Sequence, residues 1–154
     1  MARTRGLVFA LLLLSAVPTG ALAQSITVQG GNPIIRLTGG SPIVEPMVLS
    51  STTCMLRWKR LKDTAKITVS TVCPGQRFTL KVFAIAIGDG VAAPEVTLTD
   101  GMLAVDFITD IVRDKNRDYN CTLRYTASAT YAQGNSGELG GDDVHTVRYT
   151  LLEQ

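Results

Sequence analysis

The chain has 154 residues, 45% of them hydrophobic and 18% charged, with three cysteines and a single histidine. That length suits one domain with a core of its own, needing no obligatory metal or disulfide. A formal charge of only +2 excludes a broadly basic nucleic-acid or membrane-surface binder.

The first 23 residues have the pattern of a signal peptide. Arg3 and Arg5 precede an apolar run at residues 7–16, and Ala21, Leu22 and Ala23 supply a small-ended cleavage motif before Gln24. The apolar run is too short to cross about 30 Å of hydrocarbon. No later segment offers a span, so no stable membrane span is expected after cleavage. Removing 23 of 154 residues leaves 131, and losing two arginines takes the 15 basic residues to 13, equal to the 13 acidic ones. Nucleic acid is therefore not an expected partner. The expected location is secreted or at the cell surface, with the periplasm as the alternative. In such an oxidising compartment Cys54, Cys73 and Cys121 are expected to form one disulfide and leave one thiol.

Residues 24–42 read as a β-prone extension or as edge strands. Pieces at 26–28 and 34–37 are separated by Gly30, Gly31, Asn32 and Pro33, and a second break follows at 39–42. The sandwich domain itself is expected over residues 43–154, starting with a short strand at 44–49 in which Pro46 favours an edge or bulge. Cys54, Leu56 and Trp58 alternate with Met55, Arg57 and Lys59, and Ala65, Ile67, Val69 and Thr71 alternate with Lys66, Thr68 and Ser70. Joined as a hairpin with Leu61 facing Lys66, these strands set Trp58 opposite Val69, Leu56 opposite Thr71 and Cys54 opposite Cys73. Cys54–Cys73 is the favoured disulfide on that register, and a bond from Cys121 to either is the alternative.

After Pro74 and Gly75, residues 77–87 form a strand that is apolar on both sides near its end. Phe78, Leu80, Val82, Ala84 and Ala86 share one face, and Phe83, Ile85 and Ile87 the other. Such a strand is central between layers or covered by a partner. Gly88, Asp89 and Gly90 mark a turn, and residues 95–99 a short strand. In residues 102–112, Leu103, Val105 and Phe107 fit a strand, whereas Leu103, Phe107 and Ile111 fit one stripe of a short helix; the favoured reading is a strand to about Phe107, then a turn or a single helical turn before Asp118, with an exposed connection from Asp110 to Asn120. A long closing hairpin is expected from Tyr119 to Leu152, with Tyr131 facing His145, Ala129 facing Val147, Ala127 facing Tyr149 and Tyr125 facing Leu151.

These elements make the expected fold all-β: a single antiparallel β-sandwich of about eight strands, immunoglobulin-like or pilin-like, with a closed barrel as the less favoured alternative. The architecture resembles the broad class of exported bacterial sandwich modules found in pilins and adhesins, a likeness of fold that does not extend to motifs.

No catalytic, cofactor-binding or metal-binding residue is expected. His145 reads as a structural side chain beside Asp143, and a cysteine nucleophile with His145 as its base lacks a supporting motif. Asp106, Asp110, Asp114 and Asp118 recur every four residues, and Asp142 and Asp143 adjoin Gly140 and Gly141; both sets read as ordinary solvated carboxylates rather than calcium loops. Arg57, Lys59, Arg60 and Lys62 surround Trp58, whose own position in the alternation points it into the core. The expected function is a non-enzymatic structural protein, a self-assembling subunit of a filament or surface layer that pairs β-strands with copies of itself. The residues expected to carry assembly are Ile26, Val28, Ile34, Ile35, Leu37, Phe83, Ile85 and Ile87. The alternative is a secreted carbohydrate- or protein-binding module with a surface glycan or protein as partner.

Overall fold

The computed structural model describes residues 24–38, 43–59, 63–112, 117–134 and 142–154. The expected signal peptide lies outside the described residues, as do Arg60, Leu61, Lys62, Asp114, Gly140 and Gly141. The strands are β1 (Ser25–Gln29), β2 (Met47–Lys59), β3 (Ala65–Val72), β4 (Thr79–Ile85), β5 (Val91–Ala92), β6 (Val96–Leu98), β7 (Val105–Ile111), β8 (Asp118–Ala129) and β9 (Thr146–Glu153), with one short helical turn, α1 (Tyr131–Gly134), between β8 and β9.

Two antiparallel sheets form a sandwich. The first has strand order β1-β2-β8-β4-β6 and curls into a half-barrel; the second has order β5-β7-β3-β9. The barrel is not closed. Alternation in each strand determines which side faces inward. Cys54, Leu56 and Trp58 from β2, Ala65, Ile67 and Val69 from β3, and Cys121, Leu123 and Tyr125 from β8 are all buried in one core with Val82, Leu98, Phe107, Ile108 and Ile111.

Both expected hairpins are corrected. β2 pairs with β1 and β8, whereas β3 pairs with β7 and β9. The chain therefore arches from one sheet to the other after β2. β8 pairs with β2 and β4, so β8 and β9 also lie in different sheets. The alternation assigned the inward faces of these strands correctly. A side chain facing a neighbour in its own sheet and one facing the opposite sheet produce the same alternation, so burial does not reveal the hydrogen-bonded partner.

The corrected pairing removes the expected disulfide. Cys54 lies opposite Leu123 and Cys121 opposite Leu56 within the first sheet, while Cys73 follows β3 in the second. All three are free, buried thiols.

Residues 102–112 also differ from expectation, because the strand continues to Ile111. Register shifts against β3 and a positive φ of 54° at Asp110 let Phe107, Ile108 and Ile111 all turn inward. β4 is central in its sheet, between β8 and β6. Val82 and Ala84 enter the core, and Phe83 lies half-buried on the outer face beneath the Arg124 guanidinium, 5.2 Å from the ring centroid.

Candidate functional site

The half-paired start of β2 is an exposed apolar margin of the first sheet. β1 pairs only with residues 55–59 of β2. Residues 47–53 therefore have β8 as their only ladder partner among the described strands. Pairing with β8 shifts register between Ser51 and Cys54, where the incoming chain crosses closely at Gly30. Gly30 has φ +99°, and a Cβ there would sit 2.2 Å from the Thr53 carbonyl oxygen. Only glycine fits that crossing.

Leu49 pairs with Ala127, whose side chain is on the buried face of β8. Leu49 is nevertheless 47% exposed, so the second sheet leaves the core side incompletely covered here. Val48, Val44 and Ile43 are exposed as well. Arg36, Leu37 and Thr38 run past this margin and, with Val44, Pro46, Met47, Val48 and Leu49, line a shallow cavity of about 290 Å³. Residues 47–56 contain no charge. An uncharged, incompletely paired strand flanked by exposed apolar side chains is a template for another strand.

The eight residues expected to carry assembly separate into distinct places. Ile26, Ile35 and Ile87 pack against the core. Val28 is 48% and Ile34 77% exposed, and Leu37 lines the cavity beside β2. Phe83 and Ile85 occupy the outer face of β4, beyond β8 from that margin. Ile43, Val44, Val48 and Leu49 are surface residues that strand alternation does not single out. The signals for them were Pro46, which favours an edge, and the charge-free run that follows.

A polar groove of about 320 Å³ lies farther along the same edge, where β1 pairs with the later part of β2, lined by Ser25, Thr27, Gln29, Arg57 and Lys59. Arg57 pairs there with Asp118. Trp58 is fully buried and stacks against Tyr119 at 6.3 Å.

At the end of the second sheet, Cys73, Asp143 and His145 converge. β3 and β9 end their ladder at Val72–Thr146, and one further rung of that register sets Cys73 opposite His145. One ligand atom from each of Cys73, Asp143 and His145 lies within 4.8 Å of the others. The Thr71 hydroxyl lies 3.2 Å from His145 Nδ1. His145 Nε2 is buried without a hydrogen-bond partner among the described residues. Asp143 Oδ2 accepts from the Arg77 and Phe78 backbone N–H groups at 2.9 and 2.7 Å. Asp100 Oδ1 accepts from the Cys73 N–H at 2.7 Å, and Gln76 Oε1 accepts from the Asp100 N–H.

Burial, then Asp143 and Asp100, push the Cys73 thiol up, against a smaller opposite pull from the Val144 backbone. Burial pushes His145 down, opposed by the same two carboxylates. Both directions favour a neutral thiol beside a neutral imidazole, the reverse of the thiolate–imidazolium pair of a cysteine nucleophile.

The other carboxylates singled out in the sequence are dispersed. Asp106 pairs with Lys66 at 2.8 Å, Asp118 with Arg57, and Asp110 accepts from the Thr109 hydroxyl at 2.9 Å. No helix of the described residues is long and apolar enough to cross a membrane. Comparisons with protein-family models, with curated protein sequences and with solved structures found no match for this chain.

Proposed function

We propose that the protein is an exported, non-enzymatic structural subunit that assembles with copies of itself by β-strand addition. The observation that carries this reading is the start of β2: an uncharged stretch, residues 47–53, with β8 as its one ladder partner among the described strands and bordered by exposed Val44, Val48 and Leu49. The donor in this reading is the segment 34–37 of a second copy, which is β-prone in sequence but forms no strand within its own chain. Within one chain this segment runs past the same margin and Ile35 packs against the core, so assembly passes the segment from its own β2 to the β2 of the next copy. Such head-to-tail contacts repeat without closing, giving filaments or layers rather than dimers. The leader with Arg3 and Arg5 supports export to the cell surface, the medium or the periplasm.

The test is the mass of the leader-free protein by light scattering across a wide concentration range. Growth into high-order species is expected. Val48→Lys and Ile34→Lys, both at exposed positions, should abolish that growth without changing the melting temperature. Deleting residues 24–40 should do the same but also weakens the fold, because Ile26 pairs opposite Trp58. A monomer at every concentration in the unaltered protein would overturn the reading.

A carbohydrate- or protein-binding module is the second reading, supported by the groove between β1 and β2. Its serine, threonine, glutamine and basic side chains suit a hydroxyl-rich or acidic ligand. The burial of Trp58 deprives that groove of an aromatic stacking platform. Saturable glycan binding by a strictly monomeric protein would favour this second reading.

A further inference from the structure

We infer that Cys73, Asp143 and His145 form a divalent zinc site at the end of the second sheet. The three supply one sulfur, one oxygen and one nitrogen ligand atom within 4.8 Å of one another. Ligand atoms on tetrahedral zinc are separated by about 3.3–3.8 Å, given bonds of about 2.0–2.3 Å. Drawing these three in by about 1 Å therefore completes a coordination shell with a fourth position for water. The mixed donor set suits zinc, whereas calcium and magnesium require oxygen ligands throughout.

The surrounding contacts orient the ligands. Asp143 Oδ2 is held by two backbone N–H groups, which leaves Oδ1 facing the 4.0 Å approach of Arg77 Nε. When Nδ1 of His145 donates to the Thr71 hydroxyl, the lone pair is on Nε2, the buried nitrogen without a hydrogen-bond partner among the described residues. A metal-bound histidine characteristically has its second nitrogen tied down in this way. Thr71 is itself only 2% exposed, so this contact is rigidly placed. The cysteine lies against two carboxylates, Asp143 and Asp100; Arg77 Nε, 4.0 Å from Asp143 Oδ1, balances one of them, and a dication offsets the remaining negative charge once the thiol ionises. Binding transfers the Cys73 proton to solvent, so each zinc taken up releases one proton and affinity falls as pH falls.

The experiment is titration of the full leader-free chain, stripped with chelator under reducing conditions, with zinc by calorimetry and with cobalt by absorbance. The expected results are one zinc per chain, a proton released per zinc, a rise in melting temperature, and a thiolate-to-cobalt charge-transfer band. Loss of a contact that orients a ligand typically weakens metal affinity about 10–100-fold. Thr71→Val should fall in that range, and Cys73→Ser or His145→Ala should lose at least about 100-fold. Asp106→Asn, an exposed carboxylate elsewhere, should bind as the unaltered chain does. Absence of saturable zinc binding, absence of the charge-transfer band, or unchanged affinity in folded Cys73→Ser would overturn the site. Should Cys73→Ser fail to fold, the cobalt spectrum of the unaltered chain decides the matter.

Discussion

The hydroxyls of Tyr125 and Tyr149 lie 2.8 Å apart, joining β8 of the first sheet to β9 of the second through the core. The Tyr149 ring also packs on Phe107, with centroids 5.3 Å apart. Each hydroxyl satisfies the other where water has little access. Tyr149→Phe should therefore cost about 1–3 kcal/mol, because it leaves the Tyr125 hydroxyl unpaired. The double change to phenylalanine should cost less than the sum of the two single changes, measured by urea denaturation in a double-mutant cycle.

The same burial makes the fold sensitive to alkali. It pushes Tyr125 up to about 12 and raises Tyr149 further, and it pushes the Cys121 thiol up to about 11. Unfolded, these groups ionise near 10 and 9, so the folded state holds more protons in the interval between. Their contribution is complete below about pH 9 and is lost as pH rises through 11 and 12. Denaturation midpoints should fall steeply over that window, and tyrosinate absorbance from Tyr125 and Tyr149 should appear together with unfolding.

On the acid side the sign reverses for His145. Its folded value lies below the ordinary 6.5 because of burial. The metal-free protein should therefore lose stability as pH falls through 6.5, since the unfolded chain takes up the proton first. His145→Gln should flatten that part of a stability–pH curve.

Trp58 is fully buried and is the only tryptophan. Trp58→Ala should destabilise by about 3–5 kcal/mol through the cavity it leaves, and Trp58→Phe by less. In the unaltered protein, tryptophan emission should be blue-shifted when folded and shift red in one transition with loss of β-sheet circular dichroism.

Gly30 and Gly31 both have positive φ but should respond differently to substitution. Nothing lies within 4 Å of a Cβ added at Gly31, whereas at Gly30 it would overlap the Thr53 carbonyl. Gly31→Ala should cost about 1 kcal/mol from backbone strain alone. Gly30→Ala should cost more and detach β1 from β2, seen as faster proteolysis of residues 24–30 at temperatures where the rest of the fold persists.

The faces of the strands are legible in the sequence because burial imposes a period of two wherever one side is wet. Alternation alone therefore places Leu56, Trp58, Ile67, Val69, Leu123 and Tyr125 inward, and all six are buried. The length of β7 is less legible: a bulged strand with a positive φ at Asp110 breaks the alternation that marks its end. The cluster around His145 is half legible. Asp143 and His145 are two apart and share a side of an extended chain, but Cys73 reaches them only through the pairing of β3 with β9.

Hydrophobic alternation is a local property of each strand, and it is enough to specify an all-β sandwich with inward and outward positions residue by residue. Which strands pair is settled only in the folded whole. Cys54 faces Leu123 and not Cys73, and Cys73 meets His145 and Asp143 instead. The physical reason is that the inward face of a strand is satisfied equally by a neighbour beside it or a sheet across from it. Backbone hydrogen bonds carry no side-chain label, so only the packing of the described strands together selects the register, exposes the start of β2 and brings the sulfur, oxygen and nitrogen side chains together at one end of the second sheet.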